Sequence, residues 1–268
     1  MIKQTLALVS ALFVFFAALA LHASEQPTAE TIIRNSLKAN AVDWKAMPDY
    51  DCFERDQQPD GSTKTYEDLM ILGSPYERLV AINGKSLSGS ENAQEKQKLQ
   101  AEVAKRRHES PEQRQERISN YEKARNRDNQ MMDQLTKAFN FTLLGQQKLG
   151  PFDVYVLKAT PRPGYRPPNM DTQALKGMQG KLWIDKNTFQ WVKVEAHVIH
   201  PVSIEGFLAE VEPGTRFELD KGPGADGMWF PTHYAMKARA KILFFIPHKS
   251  YDDETYYDYH KAPEIGPE

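Results

Sequence analysis

Apolar and polar positions alternate between Gly180 and His200, and this alternation predicts a β-hairpin. One strand runs from Lys181 to Ile184, a turn covers 185–188, and a longer strand runs from Gln190 to His200. The even positions of the longer strand are Val192, Val194, Ala196 and Val198; the odd ones are Trp191, Lys193, Glu195 and His197. We expect one apolar face and one mostly charged face. The apolar face covers either an ordinary core or a cavity that holds an apolar ligand.

The same period of two recurs in the segment that begins at Trp229. Its even positions are Phe230, Tyr234, Met236, Ala238, Ala240, Ile242, Phe244 and Ile246. In the last strand, Tyr251, Thr255, Tyr257 and Tyr259 are expected to share a face. The strands follow one another in meander order without βαβ alternation. The fold class is therefore α+β, with one large antiparallel sheet that tends to curl and helices on one face.

Helical periodicity appears at the start of the mature chain and again in a charged segment. Residues 27–44 carry apolar side chains at helical spacing, and Thr28 or Thr31 is expected to cap this helix. Residues 90–139 predict two helices broken near Ser110, with Pro111 at the first helical position. The second helix places Met132, Leu135 and Phe139 on one face. This helical excursion is either a solvated charged surface or a lid or partner-binding arm.

The first residues predict a secretory signal peptide over 1–23, cleaved after Ala20 or Ala23. A basic Lys3 precedes an apolar stretch that ends in small residues and is followed at once by polar ones, which favours cleavage. Because the apolar stretch is near the lower length limit of a bilayer span, a retained membrane anchor is the alternative. Residues 24–268 are expected to form a single domain with a helical insertion at about 90–139. The mature protein is thus predicted to be periplasmic or secreted, with no transmembrane span after cleavage.

Composition and motifs exclude several function classes. Lys and Arg total 34 against 36 Asp and Glu, so we expect no nucleic-acid partner. The basic run 105–108 is only a weak signal for nucleic acid or anionic lipid. Cys52, the single cysteine, is expected to be a buried apolar residue. No catalytic or cofactor motif is present, and His248 and His260 lie about 40 Å apart on an extended strand. We therefore expect no cofactor, no metal site and no enzymatic activity.

The element order and one local motif resemble the LolA/LolB-like superfamily of periplasmic lipoprotein carriers. The motif is "GKLWIDKNTFQWVKVE", from Gly180 to Glu195, and the helix "AETIIRNSLKAN" before "YDCFER" adds to the likeness. The resemblance implies an incomplete antiparallel β-barrel whose concave apolar face is covered by helices. It also implies a lipid or acylated, lipoprotein-like ligand. The latch arginine of the family corresponds here to Arg55 or Arg78, and nothing local selects between them.

Two hypotheses on function follow, with a third behind them. In the first, the protein is a carrier or sensor that binds a lipid or acyl chain in the half-barrel. The candidate cavity residues are Val192, Val194, Ala196, Val198, Phe230, Tyr234, Met236, Ala238, Ile242 and Phe244. In the second, the core is simply packed and the charged helices 90–130 dock an envelope protein partner. The third is an exported hydrolase, which would need converging polar groups in a cleft.

Overall fold

The computed structural model of the protein describes residues 26–204, 209–242 and 246–263. The predicted signal peptide lies outside the described residues. Three α-helices are described: α1 (Ala29–Ala46), α2 (Gly89–Arg107) and α3 (Pro111–Ala138). None of these helices combines the length and the apolar character that crossing a bilayer requires.

Thirteen strands form one antiparallel sheet among the described residues. They are β1 (Tyr50–Gln57), β2 (Thr63–Ile71), β3 (Ser74–Ile82), β4 (Lys85–Ser86), β5 (Phe139–Leu149), β6 (Phe152–Pro161), β7 (Met178–Asp185), β8 (Trp191–Val198), β9 (Val202–Ile204), β10 (Ala209–Val211), β11 (Arg216–Pro223), β12 (Trp229–Ile242) and β13 (Ile246–Lys261). The order across the sheet is β4-β3-β2-β1-β13-β12-β11-β8-β7-β6-β5, with β9 and β10 attached at β12. The sheet is open rather than closed into a barrel, which confirms the predicted α+β class and incomplete barrel.

Helix α1 packs on one face of the sheet, which we call the inner face. Thr28 caps the helix, because its hydroxyl accepts a hydrogen bond from the Thr31 amide at 3.2 Å. Ile32 and Ile33 are buried against the inner-face residues of β6 and β7, including Leu157 and Ile184. A second cluster takes alternate positions of β6 and β7 and adds residues of β8 and β12; it consists of Val154, Val156, Trp183, Val192 and Trp229. The apolar half of the sheet under α1 is therefore a packed core.

The predicted hairpin at Gly180–Glu195 is present, and two residues of its motif, Asp185 and Gly180, have structural roles. The Asp185 carboxylate accepts hydrogen bonds from the Asn187 and Thr188 amides at 3.0 and 2.8 Å, which closes the turn. Gly180 lies directly against β8, since a Cβ there would come within 2.4 Å of the Glu195 carbonyl oxygen. The motif thus specifies a turn and a close strand contact, so it carries information about the fold.

The predicted single apolar face of β8 is interrupted by a bulge. The register between β7 and β8 shifts between the Ile184–Trp191 and Trp183–Lys193 pairs. Trp191 therefore packs in the cluster under α1, and Val192 packs in the second cluster with Trp183. A bulge inserts one extra residue and so reverses the alternation beyond it.

The predicted face of the last strand is also interrupted, which corrects the expectation for its tyrosines. Asp258 has a φ of 57°, in the left-handed region. Tyr257 stacks on Phe53 at 5.6 Å, whereas Tyr259 stacks on Phe230 at 4.2 Å. The two tyrosines therefore join different groups of aromatic rings.

Helices α2 and α3 are tied to the sheet, and α3 connects the two ends of the open sheet. Near its start, the Arg117 guanidinium donates to the Leu72 carbonyl at the turn between β2 and β3. Farther along, Arg125 lies over the Trp44 ring of α1 at 5.0 Å. Met132 and Leu135 pack against the core under α1, and the chain then continues into β5. A helix of 28 residues spans about 42 Å, so α3 forms a strap between the two sheet ends.

Candidate functional site

Two rows of paired side chains extend the inner face beyond the packed core. In the first row, Val194 pairs with Leu219 and Leu219 with Tyr234 across β8, β11 and β12. In the second row, Ala196 pairs with Phe217 and Phe217 with Met236. Val194 and Leu219 contact the core under α1, which places both rows on the inner face. We call these residues, together with Ala238 at the next inner position of β12, the inner apolar patch.

The inner apolar patch differs from the packed core in exposure. All seven of its side chains are half-buried, whereas Leu157, Leu182 and Ile184 under α1 are fully covered. The Phe217 and Tyr234 rings meet edge to face at 5.6 Å, and the Tyr234 hydroxyl contacts the Met236 sulfur. The patch is therefore a contiguous, half-buried group of aromatic, Met and aliphatic side chains beside the packed core.

The predicted cavity residues divide between this patch and the core. Val194, Ala196, Tyr234, Met236 and Ala238 belong to the patch. Val192, Val198 and Phe230 are 6%, 3% and 2% exposed, so they are packed. The backbone of Ile242 pairs with Ala209 and Ile246. Phe244 lies outside the described residues.

Carboxyl groups replace apolar side chains on the inner face beyond β12. Tyr234 pairs with Glu254 of β13, and Glu254 pairs with Asp56 of β1. Glu54 is the next inner position of β1, and burial together with the negative charges of Asp68 and Glu254 raises its pKa to about 8. Burial and the charge of Glu77 raise the pKa of Asp68 to about 6. This carboxylate row therefore borders the inner apolar patch on its β13 side.

Replacing Glu54 with Gln should flatten the dependence of stability on pH. The ordinary pKa of 4.5 rises to about 8 on folding, so the folded protein binds more protons than the unfolded chain between these values. The free energy of unfolding therefore falls as pH rises from 4.5 to 8, and Glu54→Gln removes this contribution. Urea denaturation from pH 5 to 8.5 measures it. Glu116→Gln, an exposed substitution on α3, should follow the wild-type profile; a wild-type slope in Glu54→Gln would contradict the assignment.

A buried polar strip on α1 borders the inner apolar patch on its other side. Ser36, Asn40 and Asp43 are 0%, 4% and 5% exposed. The Asp43 carboxylate accepts from the Gln190 amide at 2.6 Å and from the Trp229 backbone N–H at 3.1 Å. Burial raises the pKa of Asp43.

Lys221 of β11 reaches this strip, and its ammonium donates to the Asn40 side-chain oxygen at 2.7 Å. Burial lowers the pKa of Lys221 to about 8, against the opposing charge of Asp43. Two buried atoms of this network, the Ser36 hydroxyl oxygen and the Gln190 side-chain oxygen, have no hydrogen-bond partner among the described residues. Buried polar atoms of this kind are normally paired with protein, water or ligand.

The sequence analysis also singled out a cysteine and two arginines: Cys52, Arg55 and Arg78. Cys52 is buried, and burial raises the pKa of its thiol. Arg78 is paired with Glu67 and lies 3.5 Å from the Asn92 side chain of α2, whereas Arg55 is exposed. Within the described ranges, no group of three or more His, Cys, Asp or Glu side chains is arranged to hold a metal ion.

Sequence reasoning missed the residues of β11 and the two polar borders of the patch. Phe217, Leu219 and Lys221 alternate with Glu218 and Asp220, a period-2 signal that the Pro and Gly residues on either side of this segment obscured. Glu54 and Asp68 look like ordinary exposed acids in the sequence. Only the strand pairing shows that they lie beside each other on the inner face.

The fold is thus of the α+β class: an open antiparallel half-barrel with a helical strap, and with the half-buried inner apolar patch on one face. Its backbone is similar to that of a LolA superfamily protein from Nitrosomonas europaea, with 12% identity, 90% of this chain and 96% of that chain covered, and a TM-score of 0.32. It is likewise similar to a DUF1329 family protein from Desulfovibrio piger, with 11% identity, coverage of 90% and 95%, and a TM-score of 0.32.

A third solved structure is the MucA/MucB complex of Pseudomonas aeruginosa, with 10% identity, coverage of 85% and 99%, and a TM-score of 0.23. No protein-family model matches the chain, and no curated protein matches it.

Proposed function

We propose that this chain is an exported envelope protein that binds a lipid or acylated ligand on the inner apolar patch, as a carrier or sensor. The observation that carries the proposal is the half-burial of Val194, Leu219, Phe217, Tyr234 and Met236 beside a fully packed core. Each methylene that such a surface removes from water contributes about 0.8 kcal/mol. The signal-peptide pattern of 1–23 supports export and a periplasmic or secreted location.

Binding of a neutral acyl probe tests this function with matched variants. The mature protein, purified without detergent, should bind 1-dodecanol, and Ala238→Trp should weaken this binding by about tenfold, because the indole displaces about two methylenes from the patch. Lys237→Trp places the same ring one residue away on the opposite, exposed face and should change little. Isothermal titration calorimetry measures both, with circular dichroism to verify folding. Wild-type protein that binds no acyl probe and carries no extractable lipid contradicts the proposal.

A second candidate function, docking of an envelope partner through the charged helices, has its own supporting observation. A groove of about 430 Å³ lies along the N-terminal half of α3, lined by Glu109, Arg114, Ile118 and Glu122 among others. Removal of residues 90–130 would also remove the Arg106 and Arg117 contacts to the turn between β2 and β3. A test of this function therefore needs substitutions on the exposed face, such as Arg114→Glu, rather than a deletion.

A further inference from the structure

Lys221 is placed at one end of the inner apolar patch. It is two residues beyond Leu219 on β11, and Phe217 is two residues before Leu219. The three side chains therefore lie in a row on the same face of the strand. Four residues of antiparallel strand span about 14 Å, which is close to the length of a twelve-carbon chain. A single strand thus presents an ammonium group followed by two apolar side chains of the patch.

Among the described residues, the ammonium of Lys221 lacks a close counterion. No carboxylate of the described residues lies within the 4 Å of an ion pair with Lys221, and one of its three N–H donors goes to Asn40. The opposing charge that acts on Lys221 is that of Asp43, whose carboxylate already accepts from Gln190 and Trp229. A mostly buried ammonium without a close anion is costly in free energy.

A second observation also indicates a missing partner at this place. Ser36 lies one helical turn before Asn40, is fully buried, and its hydroxyl has no hydrogen-bond partner among the described residues. A hydroxyl can donate to an anionic oxygen. At the opposite border of the patch, Asp252 and Glu254 would repel an anion. Both borders therefore orient an anionic head towards α1.

We propose that Lys221, with Asn40 and the Ser36 hydroxyl, binds the anionic head of a single-chain amphiphile whose acyl chain lies along the inner apolar patch. This inference rests on the proposed function and names its ligand class, a carboxylate or phosphate head on one acyl chain. The head bonds to the Lys221 ammonium and the Ser36 hydroxyl, and the chain runs past Leu219 and Phe217 towards Met236.

Three probes with the same chain test the inference: dodecanoate, dodecyl phosphate and neutral 1-dodecanol. Lys221→Met should weaken binding of both anionic probes by about tenfold to hundredfold, the range of a charge-assisted hydrogen bond, and leave dodecanol binding unchanged. Lys193→Met is the matched control, because Lys193 is paired with Asp220 and Glu195 on the opposite face. It should bind all three probes as the wild type does. A weakening confined to one anionic probe identifies which head the site takes.

Lys221→Arg keeps the charge and adds a pH readout. Affinity of the wild type for the anionic probes should fall between pH 7.5 and 9.5, since Lys221 loses its proton around pH 8. The Arg variant should show no such fall, because a guanidinium stays charged. Asp43 on α1 and Asp226 on the turn between β11 and β12 are the other charges acting on this network, and both are present in each variant.

The outcomes separate this inference from the proposed function. If the wild type binds dodecanol but shows no preference for the anionic probes, or if Lys221→Met loses all three probes equally while folded, the inference is overturned and the function stands. If the wild type binds none of the three and carries no extractable lipid, both fail. A Lys221→Met variant that does not fold leaves the decision to Lys221→Arg, whose anionic binding must persist at pH 9.5.

Discussion

Replacing Arg106 with Met should lower the free energy of unfolding by about 3 to 5 kcal/mol, the cost of breaking a buried charged network. Arg106 is 5% exposed. Its guanidinium donates to the Ile71 and Ser74 carbonyls at 2.9 and 2.8 Å and to the Pro75 carbonyl at 3.1 Å. Its Nε donates to the Glu102 carboxylate at 2.7 Å. The thioether of Met replaces none of these donors, so buried carbonyl oxygens lose their partners.

Chemical denaturation of the two purified variants Arg106→Met and Lys105→Met measures the effect. Lys105 precedes Arg106 in the last turn of α2, but its side chain is 70% exposed and makes only a surface ion pair with Glu102. Lys105→Met should therefore change stability by less than about 1 kcal/mol. Equal effects in the two variants would show that Arg106 does not anchor α2 to the turn between β2 and β3.

Replacing Phe230 with Ala should also lower the free energy of unfolding by about 3 to 5 kcal/mol, and it should leave acyl binding intact. The ring is 2% exposed, stacks on Tyr259 at 4.2 Å and meets Tyr50 edge to face at 4.8 Å. Truncation removes these contacts and leaves a cavity in packed surroundings. Denaturation and 1-dodecanol titration on the same variant give the two readouts.

Tyr234→Ala is the variant to compare with Phe230→Ala. The sequence places both residues on one face of β12, but Tyr234 lies in the half-buried inner apolar patch whereas Phe230 is packed. It should lose affinity for dodecanol and lose less stability than Phe230→Ala, since a half-buried ring removes less apolar surface from water. If Phe230→Ala abolishes acyl binding while it stays folded, Phe230 lines the ligand site after all. The two variants thus distinguish core from binding surface on one strand.

Local patterns in the sequence were sufficient for the elements and their class. The charged helices break at Ser110 and Pro111 as predicted, because a Ser cap and a Pro at the first helical position act within one turn. The hairpin at Gly180–Glu195 forms where predicted, because Asp185 and Thr188 close its turn through contacts two and three residues apart. Period-2 patterning is also local, because it depends on residues two positions apart. It grouped five residues that the structure places in the inner apolar patch: Val194, Ala196, Tyr234, Met236 and Ala238.

The sequence predicted which residues share a strand face less well than it predicted the strands themselves, because local irregularities interrupt three strands. Bulges on β8 and β12 and the left-handed Asp258 each reverse the alternation of a strand. Val192 and Phe230 were therefore grouped with residues of the patch although they are packed elsewhere. The same reasoning placed Tyr257 and Tyr259 on one face, where the structure separates them.

The sequence by itself determined the α+β class, the helices and most strands, because these depend on neighbours a few residues apart. Tertiary structure alone decided what Arg106 and Lys221 do. In the sequence, Arg106 is one basic residue of a charged run and Lys221 one lysine before a turn. Their partners lie about 30 and 180 residues away, at Ser74 and Asn40, so burial and pairing arise only when the sheet forms.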